Sequence, residues 1–237
     1  MSQKSTVQEI RNRFDHDVER FSVLQTGQSS TMDAPLTLEI ISSAAALTNP
    51  NAAHILDIGC GAGNYTLKLL EKLPNIQAID LIDLSQPMLS KAVERIAAVS
   101  SAIVTPNQTD MREFDFGQNK YDVVMAAATL HHLRTDEQWE SVFTNVFNAL
   151  KPGGTFWVSD LLAHDIAAVQ QVLSHHYGNY LAEQKDEAYR DRVFAYVAKE
   201  DTPKPLSYQL RLLDKIGFSQ VEILHKNSLF GAYVAVK

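Results

Sequence analysis

Three glycines at alternate positions interrupt an apolar run and lead directly into a helical pattern. The stretch ILDIGCGAGN covers residues 55–64 and contains Gly59, Gly61 and Gly63. Glycine at such positions lets the backbone turn sharply and lets a ligand lie against the main chain, where a Cβ atom would collide. Dinucleotide-binding enzymes and plain tight turns share this spacing, so the turn suggests a bound ligand but does not establish one by itself.

Carboxylates stand near the ends of the neighbouring apolar runs. Asp57 lies two residues before the first glycine, Asp83 closes the next apolar run, and Asp110 follows the one after. Ligands of an open parallel sheet bind beyond the carboxyl ends of its strands, so these residues are candidates for one site. Asp57 could instead brace the loop, and Asp110 could cap a short turn.

Asp83 has the spacing and the chemistry of a ribose ligand. It lies about 20 positions after Gly63, the separation at which an acidic residue meets ribose hydroxyls in nucleotide-binding sites. A carboxylate accepts hydrogen bonds from two vicinal hydroxyls at once. Ser85 is expected to cap the following helix. Asp80 is followed by two further strand residues, so we expect it to be structural.

A second segment with chemical capacity is YDVVMAAATLHHL, residues 121–133. Either His131 or His132 could accept a proton from a substrate hydroxyl or amine, because imidazole titrates near neutrality. Simple contact with a ligand and a helix start are the alternatives. The other histidines show no spacing to acids or cysteines that is typical of metal ligands, so no metal is predicted.

Composition restricts the class of protein. With 237 residues, 45% hydrophobic and 21% charged, the chain can bury one full core and carry a smaller subdomain. The net charge of −7 would repel a phosphate backbone, so a nucleic-acid substrate is disfavoured. Cys60 is the only cysteine, which suits a reducing compartment. No apolar run approaches roughly 18 residues and no signal-peptide pattern is present, so we expect a soluble, cytoplasmic protein.

Apolar runs and helical patterns alternate through the middle of the chain, which predicts a mostly parallel sheet with helices on both faces. The predicted strands are residues 54–58, 76–82, 102–105, 121–127 and 155–159, with helices at 65–73, 87–99 and 137–150. A last helix ending at Ile216, with Gly217 as its C-cap, and a hairpin of strands at 221–224 and 232–236 complete the pattern.

Two segments lie outside this alternation. Apolar residues at spacings of three to four from Val7 to Phe21 predict an amphipathic helix, and a second helix is predicted at residues 35–47. Residues 161–202 have helical spacing and no convincing strand, which indicates an insertion. The predicted organisation is an N-terminal helical cover (1–48), a ligand-binding core (49–160), a helical lid insertion (161–204) and the end of the core (205–237).

The glycine turn, the strand-end acids, the LHHL turn and the KPGG turn at residues 151–154 together resemble the class I, Rossmann-like S-adenosylmethionine-dependent methyltransferases. The resemblance implies an α/β fold with a seven-stranded sheet of order 3-2-1-4-5-7-6. It also implies S-adenosylmethionine as cofactor, with the ribose at Asp83, the adenine near Asp110 and Met111, and small residues beside the sulfonium. The implied cofactor-binding residues are Asp57, Gly59, Cys60, Gly61, Gly63, Asn64, Asp83, Leu84, Met88, Asp110, Met111, Ala126 and Ala127.

A narrower resemblance extends over more of the chain. The N-terminal helix pair, the turn after the fourth strand, the insertion and the C-terminal end are similar to the carboxy-S-adenosylmethionine synthase group. Ala127 stands where that group has a cofactor-contacting asparagine, and Leu212 where it has a carboxylate-holding arginine. Arg211 is one position away, which on a helix points about 100° elsewhere. These departures favour ordinary methyl transfer.

The expected reaction is therefore transfer of the sulfonium methyl to a small-molecule acceptor. Long additions inside compact domains are commonly lids or binding elements, so the insertion is expected to close over the cofactor together with the N-terminal helix. Candidate acceptor-lining residues are Tyr177, Tyr180, Arg190 and Tyr196. A homodimer is a further expectation. The alternatives are a carboxymethyl-cofactor synthase and a non-catalytic S-adenosylmethionine-binding protein.

Overall fold

Strands alternate with helices through the centre of the chain in a computed structural model that describes residues 4–23 and 28–237. Helices α1 (Val7–Asp15), α2 (Val18–Ser22) and α3 (Ala34–Thr48) precede the first strand. The alternating part comprises β1 (His54–Ile58), α4 (Asn64–Leu70), β2 (Ala78–Asp83), α5 (Gln86–Ala97), β3 (Ile103–Gln108), β4 (Tyr121–Ala127), α6 (Asp136–Ala149) and β5 (Leu150–Leu161). The chain continues through α7 (Ala167–Gln184), α8 (Glu187–Glu200), α9 (Leu206–Ile216), β6 (Gln220–Asn227) and β7 (Phe230–Val236).

The seven strands form one sheet of order β3-β2-β1-β4-β5-β7-β6, which confirms the predicted fold class. Strands β1 to β5 are parallel to their neighbours among themselves, and β7 runs antiparallel to both β5 and β6. Because parallel strands end at the same edge, the residues that follow β1 to β5 meet at the carboxyl edge of the sheet.

Helices cover both faces of this sheet and bury the apolar side chains of its strands. On one face, Trp139 and Phe143 of α6 belong to the same buried cluster as Phe156 of β5. On the other face, Leu69 of α4 and Leu89 of α5 are part of a second cluster. Strands that are buried on both faces have nearly continuous apolar sequences. For this reason the predicted bounds of β1 and β4 match those observed.

Several helix ends follow from the capping groups that the sequence indicated. Oγ of Ser85 accepts a hydrogen bond from the backbone N–H of Met88 at 3.3 Å, which confirms Ser85 as the N-cap of α5. Gly217 ends α9 with a φ of 114°, a left-handed conformation that favours glycine. Asp80 accepts a hydrogen bond from the Tyr121 hydroxyl at 2.6 Å, a structural contact as expected.

The N-terminal helix is shorter than its apolar spacing predicts. His16 is the C-cap of α1 and Asp17 precedes α2, so the prediction of one helix from Val7 to Phe21 was wrong. Aspartate is disfavoured inside helices because its side chain competes for backbone hydrogen bonds, and it is common at helix starts. The backbone N–H of Asp17 donates a hydrogen bond to the carbonyl of Phe14 at 3.0 Å. This bond reaches the third preceding residue, as in a 3-10 turn, whereas an α-helical bond reaches the fourth.

Strand β5 is longer than the predicted residues 155–159. Its antiparallel pairing with β7 continues to Leu161, which is opposite Phe230, so this residue belongs to the sheet. The insertion itself consists of α7 and α8. Among the described residues, no helix combines the length and the apolar character needed to cross a lipid bilayer.

Candidate active site

The turn after β1 requires its three glycines for three different reasons, and all three have positive φ. A Cβ atom on Gly59 would lie 2.3 Å from Oγ1 of Thr129, and one on Gly63 would lie 3.2 Å from Cβ of Ala92 in α5. A Cβ atom on Gly61 would meet none of the described residues within 4 Å, and this glycine borders a cavity at the carboxyl edge of the sheet. Gly61 therefore leaves open space that a ligand can occupy.

Asp83, at the end of β2, is bound to this turn. Its Oδ2 accepts a hydrogen bond from the backbone N–H of Gly61 at 2.8 Å, and its Oδ1 accepts one from Ser85 at 2.9 Å. Burial raises the pKa of Asp83 to about 6, although these backbone donors favour the ionised form. Each carboxylate oxygen has two lone pairs, so both can still accept a hydrogen bond from a ligand.

Asp57 in β1 is a buried carboxylate that also borders the cavity. Its Oδ2 accepts a hydrogen bond from Oγ1 of Thr66 in α4 at 2.7 Å. Burial raises the pKa of Asp57 to about 7, and the nearby charge of Asp83 adds to this shift. The contact with Thr66 braces the start of α4, while the position beside the cavity suits contact with a ligand amino group.

Asp110 follows β3, and its carboxylate is held by a fork of donors from Arg112. The backbone N–H and Nε of Arg112 donate to Oδ1 at 2.9 and 2.8 Å, and Nη2 donates to Oδ2. Burial opposes ionisation, but the hydrogen bonds from Arg112 hold the pKa of Asp110 below its ordinary value. A ligand amine at Asp110 would therefore share this carboxylate with Arg112.

Most residues that the sequence marked border this one cavity. They are Asp57, Gly59, Cys60, Gly61, Asn64, Asp83, Leu84, Met88, Asp110, Met111, Ala127, His131, His132, Tyr177 and Tyr196. They come from the ends of different strands and from the insertion, and the parallel topology brings them together. Placement beside the cavity is what their predicted roles require.

Four of the marked residues lie outside the cavity lining. Gly63 faces α5, and Ala126 is buried in the core cluster that contains α6. Tyr180 donates its hydroxyl to a backbone carbonyl of the N-terminal segment at 3.1 Å. Arg190 lies on α8 and pairs with Asp191 at 2.9 Å. Sequence spacing identified the helices but not which of their faces borders the cavity.

The two histidines lie in a short 3-10 turn, Leu130–His132, after β4. Nδ1 of His131 contacts Oδ1 of Asp160, and its Nε2 lies 3.7 Å from Oδ1 of Asp201. Nδ1 of His132 lies 3.4 Å from the same Asp201 oxygen. Two imidazoles and two carboxylates from three separate parts of the chain thus meet beside the cavity.

Asp160 holds this turn in place from the end of β5. Its Oδ2 accepts hydrogen bonds from the backbone N–H groups of Leu130 at 2.7 Å and Thr129 at 3.3 Å. Sequence reasoning missed Asp160, although the rule that strand ends carry the site would have found it. It also missed Asp201, which ends α8 and reaches the site only through the tertiary fold.

Burial and neighbouring charges shift the pKa values of these groups in different directions. Burial opposes a charge on His131, but the Asp160 and Asp201 carboxylates outweigh it and raise the pKa of this imidazole to about 9. Burial and the charge of His131 hold the pKa of His132 well below its ordinary value. Burial raises the pKa of Asp201 to about 6, although His131 favours its ionised form.

Helices α1, α2 and α8 also contribute residues to the lining of the cavity. The apolar side chains of Val7, Ile10 and Phe14 in α1 all border it. Arg13 joins α1 to α8 through a fork on the buried carboxylate of Glu200, with an Nη2 to Oε2 distance of 2.6 Å. The amphipathic N-terminal helix therefore contributes apolar side chains to the lining of the cavity.

The glycine turn is also tied to this cover. Asn64, the first residue of α4, donates its Nδ2 to the carbonyl of Phe21 in α2 at 2.9 Å. Its Oδ1 accepts a hydrogen bond from Arg95 of α5 at 2.9 Å. Asn64 therefore links three elements around the cavity.

The site fits a nucleoside with an amino acid tail. Gly61 leaves a space that any Cβ atom would fill, and Asp83 beside it offers two oxygens that accept hydroxyl hydrogens. The sheet order, the glycine turn and the strand-end carboxylates together define a Rossmann-like S-adenosylmethionine-dependent methyltransferase.

Residues 55–154 match the family described as Methyltransferase domain. The carboxy-S-adenosyl-L-methionine synthase of Trichodesmium erythraeum (strain IMS101) is 30% identical over 212 residues, which cover 86% of this chain and 81% of that protein. The chain belongs to the carboxy-S-adenosyl-L-methionine synthase family.

Other relatives share the fold with different stated activities. N-terminal Xaa-Pro-Lys N-methyltransferase 1 of Xenopus tropicalis is 29% identical over 119 residues, which cover 50% of this chain and 52% of that protein. A solved structure described as an O-methyltransferase from Nostoc punctiforme PCC 73102 superposes with a TM-score of 0.64 at 19% identity. That match covers 94% of this chain and 60% of the solved chain, and it supports the fold alone.

Proposed function

We propose that the protein transfers the methyl group of S-adenosylmethionine to a small-molecule acceptor. The observation that carries this proposal is the lining of the cavity, which combines residues from the strand ends with residues of α1, α2 and α8. A concave site covered by helices suits a small molecule better than a polymer surface. The net charge of −7 further disfavours a nucleic-acid acceptor.

The residues of the cavity suit a reaction that depends on alignment and desolvation. S-adenosylmethionine supplies a methyl group that is already activated on a sulfonium. The chain's own contribution is then to align an acceptor and to exclude water. Apolar side chains that serve this purpose are Phe14, Phe21, Met88, Tyr177 and Phe230, all in the lining.

Of the two histidines, His132 has the ring nitrogen that is available to an acceptor. In the part of the chain that the structure describes, its Nδ1 is buried and has no hydrogen-bond partner, whereas Nδ1 of His131 is engaged with Asp160. A polar group that reaches this nitrogen, from the acceptor or bound beside it, would supply the missing partner. We therefore propose that the acceptor lies next to His132, while the contact of His131 with Asp160 supports the turn.

A second candidate function is synthesis of a carboxymethylated cofactor, which membership of the synthase family favours. Leu212 is buried in the core and Arg211 is exposed on α9, so neither borders the cavity. Arg112 and Arg134 do border it and could hold a carboxylate there. We rank this function second because Arg112 is already bound to Asp110 and because residue 127, which borders the cavity, is an alanine.

The two functions are separated by the fate of the cofactor. Purified protein is incubated with S-adenosylmethionine that carries an isotopic label in its methyl group, together with the low-molecular-mass fraction of a cell extract. Methyl transfer predicts a labelled small molecule and S-adenosylhomocysteine. Carboxymethyl synthesis would consume a carboxylic acid of the extract as the source of the added carboxyl group. It predicts a heavier cofactor that keeps the labelled carbon, which mass spectrometry detects directly.

An Asp83→Ala variant is the matched control, because it should lose both products if the cofactor binds beside Asp83. Cofactor that binds but yields neither product with any extract would contradict both catalytic proposals. It would instead favour a non-catalytic S-adenosylmethionine-binding protein.

A further inference from the structure

We propose that His131, His132 and Asp201 form a binding site for one divalent transition-metal ion of the zinc type. The three side chains each offer one ligand atom, and these atoms lie within 4.8 Å of one another. Across residues 4–23 and 28–237, this is the one group of three or more histidine, cysteine or acidic side chains gathered in this way. This group borders the cavity but includes none of the predicted cofactor-binding residues around Gly61 and Asp83.

The distances between the ligand atoms suit an ion between them. Oδ1 of Asp201 lies 3.4 Å from Nδ1 of His132 and 3.7 Å from Nε2 of His131. Zinc binds nitrogen and oxygen ligands at about 2.0–2.2 Å, which puts two ligands of a tetrahedral ion roughly 3.3–3.6 Å apart. The two imidazole nitrogens lie within 4.8 Å of each other, so the rings would close on the ion as it binds.

Two of these atoms are buried polar atoms without a partner. Nδ1 of His132 and Oδ1 of Asp201 lie 3.4 Å apart, but within residues 4–23 and 28–237 neither forms a hydrogen bond, although each is almost inaccessible to solvent. Asp201 as a whole is 6% exposed. Buried polar atoms nearly always have a partner, and an ion is one of the groups that supplies it. Both atoms are satisfied at once by a single cation placed between them.

His131 is oriented as a metal-ligating histidine usually is. Its Nδ1 contacts the carboxylate of Asp160, which fixes the ring and leaves Nε2 directed toward Asp201. A ring nitrogen bonded to a carboxylate, with the other nitrogen on the metal, is the common outer arrangement of histidine metal sites. Asp160 is itself held by the backbone N–H groups of Thr129 and Leu130, so the arrangement is built into the turn.

The local charges permit a cation at this position. Asp160 and Asp201 supply two carboxylates in contact with the imidazoles. The cations that act on His132 are Arg13, Arg112 and Arg134. Arg13 is paired with Glu200, Arg112 with Asp110, and Arg134 donates to the carbonyl of Ser5. The two carboxylates in contact with the imidazoles offset the positive charge around the site.

The ligand set also indicates the class of ion. Two imidazoles and one carboxylate suit zinc, cobalt, nickel, iron or manganese better than magnesium or calcium, which prefer oxygen ligands. Three protein ligands leave at least one position open, and all three residues border the cavity. An oxygen of water or of the acceptor would bind there. That use of the ion rests on the proposed function, whereas binding of the ion does not.

The test is direct titration of the whole, untagged chain after removal of metal by a chelator. Calorimetry with Zn²⁺ and visible absorption with Co²⁺ should both show binding of one ion per chain, with Co²⁺ bands typical of nitrogen coordination. His132→Ala and Asp201→Asn should each weaken binding by about tenfold or more. His164→Ala is the matched control because His164 also has a buried, unpartnered Nδ1 but lies outside this cluster.

Binding of S-adenosylhomocysteine, measured on each variant, shows whether the rest of the site is intact. The proposal is overturned if the parent protein binds neither ion, or if binding persists unchanged in both cluster variants that still bind S-adenosylhomocysteine. Loss of ion binding in His164→Ala alone would also overturn it. Loss of methyl transfer with ion binding intact would count against the proposed function and not against the metal site.

Discussion

The backbone N–H of Gly61 donates a hydrogen bond of 2.8 Å to Oδ2 of Asp83, 22 residues further along the chain. This bond joins the turn after β1 to the end of β2. The two features that sequence reasoning marked separately are therefore parts of one structure. A ligand that lies against Gly61 must also lie close to the Asp83 carboxylate. Changes at either residue should affect the same binding step.

Replacing Asp83 by alanine should weaken binding of S-adenosylmethionine and S-adenosylhomocysteine together. Loss of charge-assisted hydrogen bonds to ribose hydroxyls costs on the order of 1.5–3 kcal/mol, which is about tenfold or more in affinity. Calorimetry with S-adenosylhomocysteine measures the change. Asp122→Ala is a suitable control because Asp122 also accepts backbone hydrogen bonds, at 2.9 and 2.8 Å, but does not border the cavity. Unchanged affinity in a folded Asp83 variant would remove this residue from the cofactor site.

Gly61→Val should abolish cofactor binding because the branched side chain occupies the space that Gly61 leaves open. Part of any loss of stability will come from strain, since Gly61 has a φ of 50°. Gly153→Val separates the two effects, because Gly153 has a φ of 76° and equally open surroundings but lies outside the cavity lining. Both variants should melt at lower temperatures than the parent protein. Only Gly153→Val should keep the rise in melting temperature on adding S-adenosylhomocysteine.

The sequence predicted the sheet and the cofactor side of the cavity better than it predicted the acceptor side. Buried parallel strands and the glycine turn have local signals, since periodicity and glycine both act over a few residues. Asp57, Gly61 and Asp83 are found by such signals. Asp201 is not, because only the packing of α8 against the turn after β4 brings it to the histidines.

The sequence also could not predict which residues of the insertion border the cavity. Tyr177 and Tyr180 lie one helical turn apart on α7, and sequence spacing gave no reason to prefer either. The structure puts Tyr177 in the lining and directs the Tyr180 hydroxyl to a backbone carbonyl. The face of a helix that meets a cavity depends on its tertiary partners, which hydrophobic spacing does not identify.

The cover over the cavity should become more ordered when cofactor binds. Helix α1 and the end of α8 both line the cavity and are joined by the Arg13 and Glu200 pair. Hydrogen exchange of backbone amides in both segments should slow on adding S-adenosylhomocysteine. Arg13→Ala should speed exchange in α1 and weaken this response, because it leaves the buried Glu200 carboxylate unpaired. Protection confined to the glycine turn, Asp83 and Asp110 would mean that the insertion is not a lid, and a dimer contact would become its favoured role.

The buried carboxylate of Asp57 should make the ligand-free protein less stable as pH rises. The pKa of Asp57 is raised from 3.8 to about 7, so the folded chain holds a proton that the unfolded chain releases. The stability that this proton confers is fully present below about pH 4 and is lost as pH rises through about 7. Such a shift corresponds to about 4 kcal/mol as an upper figure.

Asp57→Asn should therefore stabilise the ligand-free protein, because the neutral amide keeps an oxygen acceptor for the Thr66 hydroxyl, now 2.7 Å from Oδ2. The gain in melting temperature should be larger at about pH 8 than at about pH 5, since only the parent carboxyl is ionised at the higher pH.

Asp122→Asn is the matched control, because the pKa of Asp122 is shifted in the opposite direction. Burial opposes ionisation there, but the Lys151 ammonium and backbone donors hold the pKa of Asp122 below its ordinary value. Its contribution is present above about pH 4 and is lost only below that, so Asp122→Asn should lower the melting temperature by a similar amount at both pH values. Equal effects of Asp57→Asn at the two pH values would show that Asp57 is ionised throughout, in contact with a cation rather than desolvated.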